Sequence, residues 1–388
     1  MGTGAAEPRP FRVDVPDQVL TDLHERLDRV RWADQIPGST WEYGTDSTYL
    51  RDLVTYWRHG YDWRAQEARI NELDHFTVPL AGIDVHFVHA PGVGPDPMPL
   101  LLCHGWPGSF WEFHRILPLL TDPGRRGGDP ADAFTVVAPS LPGYGFSFRP
   151  GQRRFDIGAI AKVLDDLMTE VLGYDRYAAQ GGDWGGGIVS RLGVDRPKSL
   201  VGIHLNLLFA RPGVTADPSG EPDAEERAAL DAVDHWLKEE TGYGWIQGTR
   251  PQTLAYALTD SPVGLAAWIV EKFRAWSDCG GDVESRFSRD VLLTNIMLYW
   301  VTGAIGSSFW PYYAVRHGSP VLARGQRVGV PTGYAAFPKE IVRPIRRWAE
   351  QVYDIRRWTE MPSGGHFAAL EEPEALAEDV RAFFRDLR

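Results

Sequence analysis

The stretch "QGGDWGGG", residues 180–187, decides the fold. Before it, "DRYAAQGG" (175–182) is a short apolar run with the character of a buried strand. Behind it, "WGGGIVSRLGV" (184–194) reads as a helix. A strand that turns at once into a helix needs small residues around the turn, because the backbone is tight and the helix packs close. Gly181 and Gly185 stand two positions to either side of Asp183. This is the spacing that presents a nucleophile on a strained turn, with an aspartate at its centre. The helix N-terminus favours the ionised carboxylate. The same residues also fit an ordinary glycine-rich turn with an aspartate cap.

Outward from this turn, strands and helices alternate. "HFTVPLAGIDVHFVHA" (75–90) alternates about Gly82 and reads as a hairpin. "MPLLLCHG" (98–105), "DAFTVVAPSLPG" (132–143) and "SLVGIHLN" (199–206) are further buried strands. Residues 156–172 form a helix with Ile157, Ile160, Val163, Leu164 and Leu167 on one face. Such alternation predicts a mostly parallel sheet with right-handed crossovers. The alternation stops near residue 208. Residues 209–320 read as a helical cap that opens on the linker-like "ARPGVTADPSGEPD". Strands resume at "QRVGVPTGYAA" and "DIRRWTEM", and "PEALAEDVRAFFRDLR" is the last helix. The fold class is therefore α/β, with core halves at 74–208 and 321–388. In front, residues 1–10 read as disordered. Leu20, Leu23, Leu27 and Val30 mark one helix face, and Leu50, Leu53, Val54 and Trp57 a second. Residues 1–73 are read as an N-terminal helical extension wrapped on the core.

Composition narrows the function. A formal net charge of −12 and the lack of any Lys/Arg run argue against a nucleic-acid partner. Two cysteines, Cys103 and Cys279, make no disulfide framework and suggest a reduced, intracellular setting. The start, "MGTGAAEPRPF", lacks the apolar segment of a signal peptide, and no stretch reaches about 18 consecutive apolar residues. No HExxH, CxxC or EF-hand spacing occurs, so no metal site is expected.

The other chemical candidates sit at strand ends. In "CHGWPGSFWEF" (103–113), a sharp turn after a strand offers the backbone N–H of Trp106 as an oxyanion donor, with that of Trp184 as the second. His104 and Pro107 read as supports of that turn, which glycine and proline could also shape for geometry alone. His366 follows two glycines in "PSGGHFAALEEPE" and precedes the last helix, the position of a catalytic base. Its acid partner should follow the preceding strand, where "VGVPTGYAAFPKEI" offers Glu340; Asp354 is the rival.

Taken together, these motifs resemble the epoxide hydrolases of the α/β-hydrolase fold, in particular the microsomal type that includes the juvenile-hormone epoxide hydrolases. The resemblance spans almost the whole chain and rests on "HGWPGSFWEF", "PSLPGYGFS", "GGDWGG", "DSPVGLAAWIVEKF", "LTNIMLYWVTG", "VPTGYAAFPKE" and "GGHFAALEEPE". It implies Asp183 as nucleophile, His366 as base, Glu340 as acid partner and Trp106 as oxyanion donor. It further implies two cap tyrosines that hold the epoxide oxygen. The first matches Tyr243 in "ETGYGWIQGTRP"; the second aligns with Tyr312 in "FWPYY", with Tyr313 adjacent. A cofactor-independent enzyme taking a small apolar epoxide is implied, and a homodimer is compatible with it. Microsomal-type enzymes generally carry an N-terminal membrane anchor, and "MGTGAAEPRPF" does not resemble one, so a cytoplasmic enzyme is expected. A haloalkane dehalogenase, which also uses an aspartate, and a non-catalytic binder of apolar ligands on the same scaffold are the alternatives.

Overall fold

The computed structural model describes residues 6–210, 214–216 and 221–388; half of the linker-like segment 210–223 lies outside these. Nine strands form one sheet among the described residues: β1 (Arg9–Phe11), β2 (His75–Leu80), β3 (Ile83–Ala90), β4 (Met98–Cys103), β5 (Phe134–Pro139), β6 (Tyr177–Gly181), β7 (Leu200–Leu205), β8 (Val328–Ala336) and β9 (Tyr353–Glu360). Their order is β1-β2-β3-β5-β4-β6-β7-β8-β9. The hairpin β2–β3 turns at Ala81 and Gly82, both at positive φ, and pairs Leu80 with Ile83. From β5 to β9 every pairing is parallel, whereas β1, β2, β3 and β5 pair antiparallel. The parallel strands β4, β5, β6 and β7 are buried on both faces, which is why they read as unbroken apolar runs. Leu100, Leu101, Val136, Val137 and Ile203 are all fully buried. Truncating one such leucine to alanine costs about 2–5 kcal/mol.

One expectation is corrected at the N-terminus. Arg9 and Pro10 are not disordered: with Phe11 they pair along β2, Arg9 opposite Thr77 and Phe11 opposite His75. The anchor is the Phe11 ring, which packs on His86 at 5.1 Å and Phe146 at 5.2 Å. A three-residue edge strand is too short to show alternation in sequence.

The extension contributes three α-helices, Asp17–Asp28, Ser47–His59 and Trp63–Ile70. Asp46 and Asp62 cap the second and third, accepting from Tyr49 N–H and Ala65 N–H. Their apolar faces meet the inserted helices, while β1 joins the sheet. Arg26 bonds Asp260, Thr45 donates to the Ala267 carbonyl at 2.7 Å, Tyr56 donates to Asp290 at 2.8 Å and Tyr61 meets Thr294 at 3.0 Å. The inserted block is helical from Ala224 to Arg316, and the chain returns to the sheet at Val328. No single helix among the described residues is long and apolar enough to cross a membrane.

Candidate active site

The turn after β6 is built as its glycines require. A Cβ on Gly181 would lie 2.4 Å from the Gly185 carbonyl carbon, and one on Gly185 would lie 1.9 Å from the Cys103 carbonyl oxygen. Asp183 takes φ +46°, a left-handed conformation that L-residues adopt at a cost, and opens the helix Asp183–Asp195. Its side chain projects over the end of β4, so close that a Cβ on Gly105 would meet Asp183 Oδ1 at 2.2 Å. That approach lets the Trp106 N–H donate to Oδ1 at 2.7 Å. The Trp184 N–H lies in the first helical turn, where no carbonyl one turn back can accept from it.

The Trp106 turn is held from two sides. Burial pushes the His104 imidazole down to about 4, so it is neutral; its Nε2 accepts from Leu141 N–H at 3.3 Å and its Nδ1 donates to the Gly105 carbonyl at 3.0 Å. From the cap helix Arg289–Thr302, Asn295 donates to the Pro107 carbonyl at 2.8 Å and Tyr299 to the Gly108 carbonyl at 2.7 Å.

His366 reaches the same point from the loop that follows β9. The loops after β8 and β9 meet in a bridge between Lys339 and Gly365. This sets Glu340 Oε1 2.5 Å from His366 Nδ1, where it also accepts from Ile341 N–H at 2.7 Å. The other ring nitrogen, Nε2, stands 3.4 Å from Asp183 Oδ2. Burial opposes the imidazolium, but the Glu340 and Asp183 carboxylates outweigh it and hold His366 well above its usual range. Asp354 lies on β9 and pairs with Arg356 at 3.0 Å, so it is not the partner of His366.

The cap supplies the opposite wall. Tyr243, on the helix Gly242–Thr249, stacks on the Trp106 indole at 5.3 Å and 7°. Tyr312, on the helix Trp310–Arg316, stands edge-on to Tyr243 at 5.7 Å and to Trp184 at 4.7 Å. Tyr313 points elsewhere, stacking on Trp310 and His317. Burial first, and Asp183 after it, push the Tyr243 phenol above its ordinary range. Burial, with Tyr243 and then Asp183 behind it, does the same for Tyr312, so both keep their protons at neutral pH. A pocket of about 460 Å³ opens between Asp183, Trp184, Leu208, Trp236, Tyr243 and Tyr312, within the size range of small-molecule sites. A larger hollow of about 1050 Å³, between the extension and the cap, contains none of these groups.

Three residues here carry no sequence signal of their own. The Trp276 carbonyl accepts from His366 N–H at 2.9 Å, and its ring packs edge-on to the imidazole. The buried Lys272 ammonium pairs with Glu271 at 2.6 Å and lies 5.0 Å from the Tyr243 ring centroid. Glu112 lines a small cavity behind Asp183 and His366. Trp276 and Glu112 are hinted at only by Gly365 and Gly108, whose Cβ atoms would collide with the Trp276 carbonyl and the Glu112 carboxyl.

Residues 8–113 match the family described as epoxide hydrolase N terminus, and residues 98–241 match alpha/beta hydrolase fold. The chain is 41% identical to epoxide hydrolase 1 of Oryctolagus cuniculus over 97% of this chain and 88% of that protein. It is similar to the crystal structure of juvenile hormone epoxide hydrolase from the silkworm Bombyx mori, with a TM-score of 0.89 and 31% identity over 99% of this chain and 95% of that one. The structure of Aspergillus niger epoxide hydrolase gives a TM-score of 0.87 and 31% identity, covering 100% and 98% of the two chains. At this identity over nearly the full length of both proteins, the chain belongs to the epoxide hydrolases of the α/β-hydrolase fold.

Proposed function

We propose that this protein hydrolyses small apolar epoxides to vicinal diols through a covalent ester on Asp183. The observation that carries the reading is an aspartate, not a serine, on the turn, with the Trp106 N–H on Oδ1 and two protonated phenols facing it. A serine adduct with an epoxide would be an ether, which such a site has no means to cleave. An aspartate adduct is an ester, which it can.

In the first step Asp183 Oδ2 attacks an epoxide carbon, the C–O bond breaks, and Tyr243 and Tyr312 donate to the departing oxygen. Ester formation removes the negative charge of Asp183, one of the two carboxylates that hold His366 protonated. The imidazole therefore loses its proton as the diol oxygen gains one, and it becomes a base when a base is needed. It then takes a proton from water, which attacks the ester carbon, while the Trp106 and Trp184 N–H groups hold the oxyanion. Glu340 keeps the imidazole oriented. The steps use side chains and water alone. A cytoplasmic location belongs to the same proposal and rests on the sequence reading.

Dehalogenation is the competing reading, favoured by the buried Trp106 indole N–H, which has no hydrogen-bond partner and would suit a halide. The paired phenols favour an epoxide, because a departing halide needs no proton. Assaying racemic styrene oxide and a bromoalkane side by side decides between them: diol with no bromide release is expected, and bromide release without diol overturns the reading.

A further inference from the structure

Asp183 lines two cavities of different size and lining. One is the substrate pocket of about 460 Å³, walled by apolar and aromatic side chains. The other is a small cavity of about 20 Å³ on the side of the Trp106 turn, lined by Glu112, Gln180, Asn206 and His366 among others. A volume of about 10–15 Å³ measured this way holds one water, provided polar partners surround it. Here two of the partners, Asp183 and His366, are the groups between which a hydrolytic water has to stand.

Glu112 is placed there by the backbone. It lies in the short helix Phe110–His114, which Ser109 caps by accepting from Trp111 N–H at 3.3 Å. Its carboxyl fills the space where Gly108 lacks a side chain: a Cβ on Gly108 would fall 1.2 Å from Glu112 Oε1. The carboxyl lies deep in the protein, and the charges of both His366 and Asp183 act on it. Burial pushes it up to about 8, with His366 pulling it down and Asp183 pushing it up. A carboxyl in this position can hydrogen-bond a water in either protonation state. Gln180 Nε2 donates to Asn206 Oδ1 at 2.9 Å, which fixes both amides at the cavity wall.

We infer that Glu112 is a catalytic residue of the second step, binding the hydrolytic water in the small cavity on the side of Asp183 away from the substrate. The inference rests on the ester route proposed above. The water oxygen bonds to Asp183 Cγ, one proton passes to His366 Nε2, and Glu112 accepts the hydrogen bond of the other. The tetrahedral carbon then collapses, the bond from Cγ to the diol oxygen breaks, and His366 returns its proton to that oxygen. Asp183 is left as the acid and gives its proton to His366, restoring the ion pair. Two cavities separate the two reactants. Substrate occupies the apolar side without displacing the water, and the water attacks from a direction the product does not block.

The test measures the two steps separately with styrene oxide, using stopped-flow tryptophan fluorescence and mass spectrometry of acid-quenched protein. Adduct formation by His366→Ala is measured first; its absence would defeat the ester route itself and not the role of Glu112. Once the adduct is seen, Glu112→Gln should alkylate within about 3-fold of wild type but hydrolyse the ester roughly 10- to 100-fold more slowly, so that adduct accumulates at steady state. Gly108→Ala leaves Glu112 in the chain but displaces its carboxyl, and should show the same split; it decides the matter if Glu112→Gln fails to fold. Ester hydrolysis at the wild-type rate in a folded variant, or equal slowing of both steps, overturns the inference.

Discussion

Asp183 Oδ2 and His366 Nε2 stand 3.4 Å apart inside the protein, with Glu340 on the other nitrogen of the same ring. One cation is thus shared between two carboxylates, and its proton depends on whether Asp183 is charged. On the proposed ester route, His366→Ala leaves Asp183 free to attack but removes the base. It should consume about one equivalent of epoxide and stall, with one substrate mass on the peptide containing Asp183. On the proposed route, esterification in wild type removes one of the carboxylates that raise the His366 pKa. The pKa read from single-turnover ester hydrolysis should therefore lie below that of His366 in the free enzyme, measured by NMR titration. Equal values would contradict the charge argument.

The two tyrosines make a sharper test. Tyr243→Phe or Tyr312→Phe removes one donor to the departing oxygen and should slow alkylation roughly 10- to 1000-fold, leaving ester hydrolysis little changed. Tyr313→Phe should leave both steps within about 3-fold, because loss of a single ring hydroxyl outside the pocket removes no donor from the reacting oxygen. Stopped-flow fluorescence on the three variants checks this, and a slow Tyr313→Phe with a normal Tyr312→Phe would reverse the assignment.

Lys272 should act through Tyr243. A buried ammonium 5.0 Å from the ring centroid stabilises negative charge as it develops on the phenol. Lys272→Met keeps the stem but removes the charge, and should slow alkylation by about 10-fold, a loss of roughly 1–2 kcal/mol. Lys272→Arg should recover part of it. If both variants lose stability and not alkylation rate, the lysine only packs.

The turn glycines predict a contrast in stability. Gly185→Ala puts a methyl group 1.9 Å from the Cys103 carbonyl oxygen. It should cost at least about 1–3 kcal/mol, visible as a lowered melting temperature and little or no turnover. Gly329→Ala meets nothing within 4 Å and should stay within about 0.5 kcal/mol of wild type.

Acid stability should depend on Asp379. It accepts from His204 at 3.0 Å, from Arg357 at 2.6 Å and from Thr359 at 2.7 Å, tying the last helix to β7 and β9. Burial opposes its charge, but these partners outweigh burial and hold its pKa down to about 2, against an ordinary 3.8. A depressed carboxylate contributes stability that is fully present above its unfolded value and is lost as pH falls through the folded one. The stability gap between wild type and Asp379→Asn should therefore be constant above about pH 5 and close between 3.8 and 2. Urea melts across that range measure it; a gap that widens on acidification would show the sign to be wrong.

What the sequence shows of this site follows from where each constraint lies. Asp183 is legible because its neighbours at two positions either way must be glycine, a purely local demand. Glu340 and His366 are legible as the residues that follow strands, since strand ends define one rim of a parallel sheet. Choosing between Tyr312 and Tyr313 requires the helix rotation, which sequence spacing does not give. Lys272, Trp276 and Glu112 depend on contacts between segments far apart in the chain, and amphipathic periodicity carries no record of them. The extension helices show the same limit: their apolar faces demand a cover but do not say which. The cover is the cap, where a purely sequential reading sees the core.

That cover has a mechanical outcome. Arg26, Thr45, Tyr56 and Tyr61 fasten the extension to three separate helices of the cap, and β1 fastens it to the sheet. These bonds tie the cap to the sheet through the extension. Leu230 and Val233 of the helix Ala224–Glu239, which none of these bonds reaches, line the pocket together with Val342 and Pro344.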